Sequence, residues 1–431
     1  MRRSTSRAHC KLARVGAMPL STAPRGSLRR VLRFALRAWP LLAALHVYLG
    51  WQLLPPLPPA ARVVGAALLL ASALLIPAGL FSRLRPGRTS DRVAWVGYFA
   101  LGLFSTTLVL TVLRNLVLLL PGTARWVEPS AAWVPALALA VSLIGLRNAR
   151  RTARVVDVHV ELPELPPALV GFTIVQLSDI HVGPTIKAAR VRAIVERANA
   201  LRADLIAITG DVVDGPVEAL RGDTAPLAAL RARHGAWLVT GNHEYYAGAQ
   251  AWLDEFERLG LRCLLNAHAV IAHDGARLVL AGVTDFGAVA FDPDQRSDPV
   301  RALAGSPDGV PRILLAHQPA TAADAARAGF DLQLSGHTHG GQFWPWNLFV
   351  GLQQPFTAGL HRVGSMQVYT SRGTGYWGPP KRFGAPSEIT RIRLRAAAPA
   401  DAAASTSDSR GAGTPAGDAR APRWRSLRRR A

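Results

Sequence analysis

Hydrophobic and polar positions divide the chain into two unlike parts. Four apolar stretches come first, at about residues 38–57, 63–81, 93–113 and 126–146. Each reaches the ~20 residues that a helix needs to cross a bilayer. No water is available inside a bilayer to satisfy a free backbone, so each is predicted as a helix. The second and third are clean, whereas the first carries Pro40, His46 and Gln52 and the fourth carries Glu128 and Pro135. Beyond residue 154 the pattern shortens. Residues 155–162 alternate apolar and polar, as a strand does. Apolar runs at 173–177, 205–209, 236–240, 313–315 and 332–334 read as buried strands, with helical periodicity at 186–201, 225–233, 249–259 and 321–328 between them. Runs at 270–272 and 278–283 flank His273-Asp274-Gly275, a hairpin signal. Late strands are predicted at 366–370 and 389–394. This alternation predicts α/β layers, and the hairpin and late strands make the sheets mixed.

Composition fits that division. The 431 residues are 49% hydrophobic and carry a net charge of +22, mostly arginine. The arginines crowd the tails and alternate loops: Arg29, Arg30, Arg33 and Arg37 before the first stretch, Arg83, Arg85, Arg88 and Arg92 between the second and third, and Arg147, Arg150, Arg151 and Arg154 after the fourth. Such a bias sets membrane orientation and predicts both termini and the soluble part in the cytoplasm. It makes specific nucleic-acid binding the lesser reading of the charge. Ser27-Leu28-Arg29-Arg30 faintly resembles a twin-arginine signal, but the spans that follow argue against a cleaved leader. Cys10 and Cys263 stand in unrelated contexts, so neither a disulfide framework nor a thiolate metal site is expected. The predicted organisation is a basic tail (1–37), a transmembrane region (38–146), a basic and Pro-containing linker (147–167), a soluble domain (168–395) and a disordered basic tail (396–431).

The chemistry sits where strands end. Ser178-Asp179-Ile180-His181, Gly210-Asp211, Gly241-Asn242-His243-Glu244, Ala316-His317 and Gly336-His337-Thr338-His339 each follow one of the five buried runs. Loops at the carboxyl ends of strands are where open α/β sheets place ligands. Asp179 and His181, separated by Ile180, are expected on one side of an extended strand end, and His337 and His339 on another extended segment. Taken singly, Asp211 reads better as a helix or turn cap and His317 as a satisfied core histidine. Together the motifs supply oxygen and nitrogen donors without sulfur, a set that suits two divalent ions of the Mn, Fe or Zn kind.

The ordered motifs resemble the calcineurin-like metallophosphoesterase family over about residues 155–394. The resemblance extends through Ser371-Arg372-Gly373-Thr374-Gly375 and the stretch to Ser387-Glu388-Ile389, which looks like the membrane-associated bacterial branch. It implies a four-layer α/β/β/α sandwich. It also implies that Asp179, His181 and His339 hold a first metal, that Asn242, His317 and His337 hold a second, and that Asp211 bridges both. His243 is implied near the phosphate and leaving group, not as a ligand. The implied activity is metal-dependent hydrolysis of a phosphoester or pyrophosphate by activated water, on a lipid-borne or membrane-proximal substrate. The bacterial inner membrane is the implied location. The branch includes pyrophosphatases acting on UDP-2,3-diacylglucosamine. A basic membrane protein that binds nucleic acid without catalysis, and a membrane sensor without turnover, are the competing classes.

Asp204, Asp214, His234, His268, His273 and His361 have no strand-end partner and are expected to be surface or loop residues. Asp285, just after a strand, is a candidate for supporting the site. Trp344, Trp346, Tyr376 and Trp377 divide between core packing and an aromatic rim at the lipid interface. Lys381 and Arg382 are candidates to meet a phosphate head group.

Overall fold

A computed structural model describes residues 25–82 and 87–397. The tail at 1–24, Arg83, Arg85 and residues 398–431, the bulk of the predicted basic C-terminal tail, lie outside the described residues. Four helices come first: α1 (Arg25–Leu53), α2 (Pro59–Ser82), α3 (Arg88–Leu118) and α4 (Val127–Arg150). Among the described residues, three candidate spans are long and apolar enough to cross a membrane: α2, α3, and α4 together with the 3-10 turn before it. The helices pack closely where side chains are small. A Cβ on Gly97 of α3 would lie 2.6 Å from the Cα of Gly79 in α2, so only glycine lets these two backbones touch. Polar residues inside the bundle find partners there. His46 Nε2 lies 3.1 Å from Ser72 Oγ, and Arg114 donates to Ser130 Oγ and the Val127 carbonyl.

The rest of the chain builds two six-stranded sheets. The first contains β1 (Arg154–Leu162), β2 (Thr173–Leu177), β3 (Leu205–Thr209), β4 (Ala236–Val239), β5 (Arg262–Cys263) and, last in sequence, β12 (Glu388–Ala396). Its order is β1-β12-β2-β3-β4-β5. The second contains β6 (Ala267–His273), β7 (Ala276–Gly282), β8 (Arg312–Leu315), β9 (Leu332–Ser335), β10 (Gly359–Val363) and β11 (Met366–Thr370). Its order is β10-β11-β9-β8-β7-β6. Both sheets are mixed. β12 runs antiparallel to β2 in the first sheet, and the β6–β7 and β10–β11 hairpins are antiparallel in the second. Asp274 and Gly275 close the β6–β7 hairpin with φ of 47° and 87°, the sign a two-residue turn needs to match strand twist.

Alternation along the strands feeds separate cores. Ile174, Leu205 and Val239 of the first sheet share a core with Leu280, Leu315 and Leu334 of the second. Their neighbours Val175, Ile206 and Leu238 pack with Val191 and Ile194 of α5 (Ala188–Asn199) and with Trp252 and Phe256 of α8 (Ala249–Arg258). Val279, Leu314 and Val368 pack with Ala322 and Ala325 of α10 (Ala322–Ala328). Both faces of the central strands are buried, so those strands read as unbroken apolar runs rather than as alternation.

The strand expected at 155–162 is found as β1, and it pairs with β12 along its whole length, from Arg154↔Glu388 to Leu162↔Ala396. The structure differs from expectation in places. The helix expected across 225–233 is α6 (Val217–Thr224) followed by a short 3-10 turn, because Pro226 has no N–H with which to continue the helix. The predicted head-group contacts of Lys381 and Arg382 are not found, since both side chains are buried. Lys381 enters the groove between α3 and α4, where Nζ donates to Ser142 Oγ (3.0 Å), the Gly102 carbonyl (3.3 Å) and Thr106 Oγ1. A Cβ on Gly145 would come within 2.6 Å of Lys381 Cγ, so glycine makes the groove. Arg382 N donates to the Gly145 carbonyl (2.9 Å), Trp346 Nε1 to Ser105 Oγ (3.0 Å), and Lys187 pairs with Asp91 (2.8 Å). The soluble domain is thus seated on the sides of α3 and α4.

Candidate metal centre

Three of the five strand-end motifs turn abruptly after their strands. Asp179, His181, Asp211, His337 and His339 all have positive φ, from 53° to 70°. This left-handed conformation is disfavoured for residues with a side chain, and it clusters at sites where the surroundings enforce it. The predicted extended geometry of Asp179/His181 and His337/His339 is therefore incorrect. Backbone reversal at each residue, not strand alternation, aims these side chains. Two glycines make the crowding possible. A Cβ on Gly241 would overlap Asp211 Oδ1, and one on Gly336 would overlap Ser178 Oγ and Asp179 Oδ2.

These reversals bring the motif residues together. Asp179, His181 and His339 present ligand atoms within 4.8 Å of one another, as do His181, Asp211 and His243, and Asp211, His317 and His337. Asp211 belongs to two of the three groups. His181 Nε2 lies 3.0 Å from His339 Nε2, and His317 Nε2 lies 3.2 Å from His337 Nδ1. Asp211 Oδ2 is 3.2 Å from His317 Nε2, and Asn242 Oδ1 is 3.2 Å from the same nitrogen. His243 Nε2 stands 3.9 Å from Asp211 Oδ2 and stays partly exposed.

The surrounding bonds aim the nitrogens. His317 Nδ1 donates to the Thr209 carbonyl (2.7 Å), which turns Nε2 towards Asp211 Oδ2 and into the site. Asp214 does the same for two rings: its Oδ1 lies 2.8 Å from His181 Nδ1 and 2.7 Å from His243 Nδ1. The sequence reading treated Asp214 as a loop residue, and it is instead a buried carboxylate at the centre of the site. Its only advance signal was its place three residues after Asp211. Glu244, next to His243 in its motif, takes a role that sequence pattern does not signal. Its carboxylate accepts from the backbone N–H of Asp211, Val212, Val213 and Gly241, tying two ligand loops together. Arg382 donates to the His339 carbonyl (2.8 Å), and its Nη2 lies 3.0 Å from His339 Nδ1. Asp285 is buried but bonds Gln318 and the Gly287 N–H rather than a site histidine.

Electrostatics separate these groups. Burial raises Asp179, and burial together with Asp211 raises Glu244. Burial also opposes ionisation of Asp211, but the imidazoles of His317, His243 and His181 outweigh it and hold that carboxyl well below its usual range. The same contest leaves Asp214 low, through His181 and His243. Burial disfavours charge on His243, yet Asp211 and Asp214 push it up to about 9. Burial and the neighbouring His317 bring His337 down to about 3, and burial beside Arg382 holds His339 low. An ionised Asp211 among neutral His337 and His339 is the donor set that a borderline divalent ion takes. The convergent ring nitrogens, with the opposite nitrogens of His181 and His317 tied to oxygen acceptors, fit such ions.

A family model described as calcineurin-like phosphoesterase matches residues 172–341, the stretch that carries all five motifs and the strands before them. An uncharacterized metallophosphoesterase of Aquifex aeolicus is 32% identical over 248 residues, 56% of this chain and 92% of that protein. The chain belongs to the calcineurin-like metallophosphoesterase family. Its soluble domain is that of a metal-dependent phosphoester hydrolase. Proteins described as "transmembrane protein with metallophosphoesterase domain" are also similar: 39% identical over 60% of this chain in Danio rerio, and 41% over 61% in Bos taurus. The match spans 61% and 63% of those two proteins' length. Relatives of this metallophosphoesterase thus occur in animals as well as in bacteria.

Proposed function

We propose that the chain is a multi-pass membrane phosphohydrolase that uses two divalent cations of the Mn, Fe or Zn kind to cleave a phosphoester or pyrophosphate carried on a lipid or held near the membrane. The observation that carries this reading is the shared carboxylate: Asp211 belongs at once to the group with His181 and to the group with His317 and His337. In this reading Asp179, His181 and His339 hold one ion, Asn242, His317 and His337 hold the other, and Asp211 spans both. When bound, such a pair supplies Lewis acidity at the phosphoryl oxygens and an activated water. The chain's own contribution is positional. Asp214 fixes the ring orientation of His181 and His243, and Glu244 fixes the Asp211 loop. His243, with Nδ1 held by Asp214, presents Nε2 beside the site, where it can deliver a proton to the leaving oxygen.

We further propose that all four N-terminal helices span. The arginine clusters support both termini and the soluble domain on the cytoplasmic face, in a bacterial cell at the inner membrane. The three separate cores favour an α/β/β/α layering. The pairing of β1 with β12 favours a soluble unit that begins near residue 154 rather than 168. To test substrate class, the detergent-purified full-length protein with Mn is given UDP-2,3-diacylglucosamine and a phospholipid panel, and products are identified by mass spectrometry. UMP release from the sugar lipid assigns the pyrophosphatase reading. Cleavage of phospholipids alone assigns another lipid phosphate. Turnover of neither, with a soluble phosphodiester still hydrolysed, removes the lipid from the proposal.

A further inference from the structure

A cavity of about 440 Å³ runs from the metal centre to the helical bundle. His337 and His339 line its inner end, and Leu101 and Ser105 of α3 line its outer end. Trp346, Phe349, Trp377 and Pro379 line it between these ends. Polar groups of the wall are already engaged: Trp346 Nε1 donates to Ser105 Oγ, and Gln342 Nε2 donates to the Trp377 and Pro379 carbonyls. What remains facing the cavity is mainly carbon and aromatic ring. The rim is apolar as well, with Leu348, Phe349 and Leu352 at 66%, 51% and 71% exposure. Nothing in phosphoryl chemistry calls for such a lining beside metal ligands.

Helix length shows where this opening lies. α3 has 31 residues, about 46 Å at 1.5 Å each, whereas a bilayer core is ~30 Å thick. A core laid from the Leu118 end would reach roughly to residue 98, so Leu101 and Ser105 would lie about 4–10 Å inside its edge. The soluble domain is seated along this end of α3, from Lys187 on Asp91 outside the core to Trp346 on Ser105 inside its edge.

We propose that this groove takes the hydrocarbon chain of an amphiphilic phosphoester, which enters sideways from the bilayer past Leu101 and Ser105 while its phosphate reaches His337 and His339. This rests on the phosphohydrolase reading and assigns its substrate class: a chain-bearing phosphate drawn directly from the membrane, with a soluble nucleotide or sugar phosphate as the excluded class. The occupant follows from continuity. One end of the groove is the candidate metal centre and the other is half-buried Leu101 and Ser105 on a helix long enough to span a membrane.

Two measurements on the full-length protein test this. In mixed micelles with Mn, alkyl p-nitrophenyl phosphates from methyl to hexadecyl are compared. In nanodiscs, a phosphatidic acid with a diazirine in its acyl chain is photo-crosslinked and the labelled residues are mapped. KM should fall by at least about 10-fold along the series in the wild type and by less than about 3-fold in Phe349→Asp and Leu101→Trp, because each buried methylene favours binding. Crosslinks should concentrate at 101–105 and 346–353. A flat series with every ester turned over overturns the groove and leaves the phosphohydrolase standing. If no ester is turned over, the phosphohydrolase reading falls, and the crosslinks alone decide the groove. Labels spread evenly over the lipid-facing bundle overturn it.

Discussion

Asp214 shows how much one carboxylate decides at this site. A single oxygen orients two imidazoles, one expected to hold metal and one expected to hold a proton. Asp214→Asn should lower kcat/KM by about 10–100-fold, as loss of a ligand-orienting partner does, with reduced Mn retention on dialysis. Unchanged kinetics and metal content would assign Asp214 to the loop alone. His243→Ala should separate the two functions differently. Turnover should drop by about 100-fold or more, the usual scale of a lost proton donor, while bound Mn stays constant; loss of Mn instead would make His243 a ligand. The positions of the eight motif residues could be read from the chain because each follows an apolar run. Their aim could not. Positive φ at Asp179, His181, Asp211, His337 and His339 is enforced by tertiary crowding at Gly241 and Gly336, which local sequence does not encode. Asp214 stayed hidden for the same reason, since its partners come from two separate loops.

At the scale of elements, the contact between Lys381 and the helix pair is the informative one. Gly145→Leu would drive a side chain into the space that Lys381 fills. Overpacking of this kind costs about 1–3 kcal/mol, which should appear as a lower melting temperature in detergent and as faster proteolysis near residues 151–153. Activity should fall with it, because Arg382 holds both the Gly145 carbonyl and His339. Wild-type melting and proteolysis in this variant would mean that the groove is loose. Burial lowers Lys381 to about 8 from its ordinary value near 10.5. Between those values the folded lysine is neutral while the unfolded one still binds a proton, so stability should rise as pH climbs from 8 to 10. The rise should vanish in Lys381→Met; if it persists there, another group is responsible. Strands β2, β3, β4, β8 and β9 were legible because burial on both faces leaves unbroken apolar runs. β5, with two residues, and β10, where Gly359, His361 and Arg362 break the apolar pattern, were not, because they are strands by pairing rather than by composition.

For the whole molecule, the sequence separated an apolar N-terminal region from an α/β domain, but it did not show that the two interlock. Lys381, Arg382 and Trp346 lie more than two hundred residues from the helices they touch, and a reading by local pattern offers Lys381 and Arg382 as head-group contacts and divides Trp346 between core and lipid interface. Lys381 and Arg382 are buried, and with Trp346 on Ser105 they set the candidate metal centre beside α3 and α4. Everything proposed here depends on two cations sharing Asp211. The most direct test is hydrolysis of bis(p-nitrophenyl) phosphate by chelator-stripped full-length protein titrated with Mn. Activity should be absent without Mn and should saturate at two ions bound per chain, and Asp211→Asn should remain silent at every Mn concentration while still folded. Turnover without added metal, saturation at a single ion, or normal activity in Asp211→Asn would contradict the account.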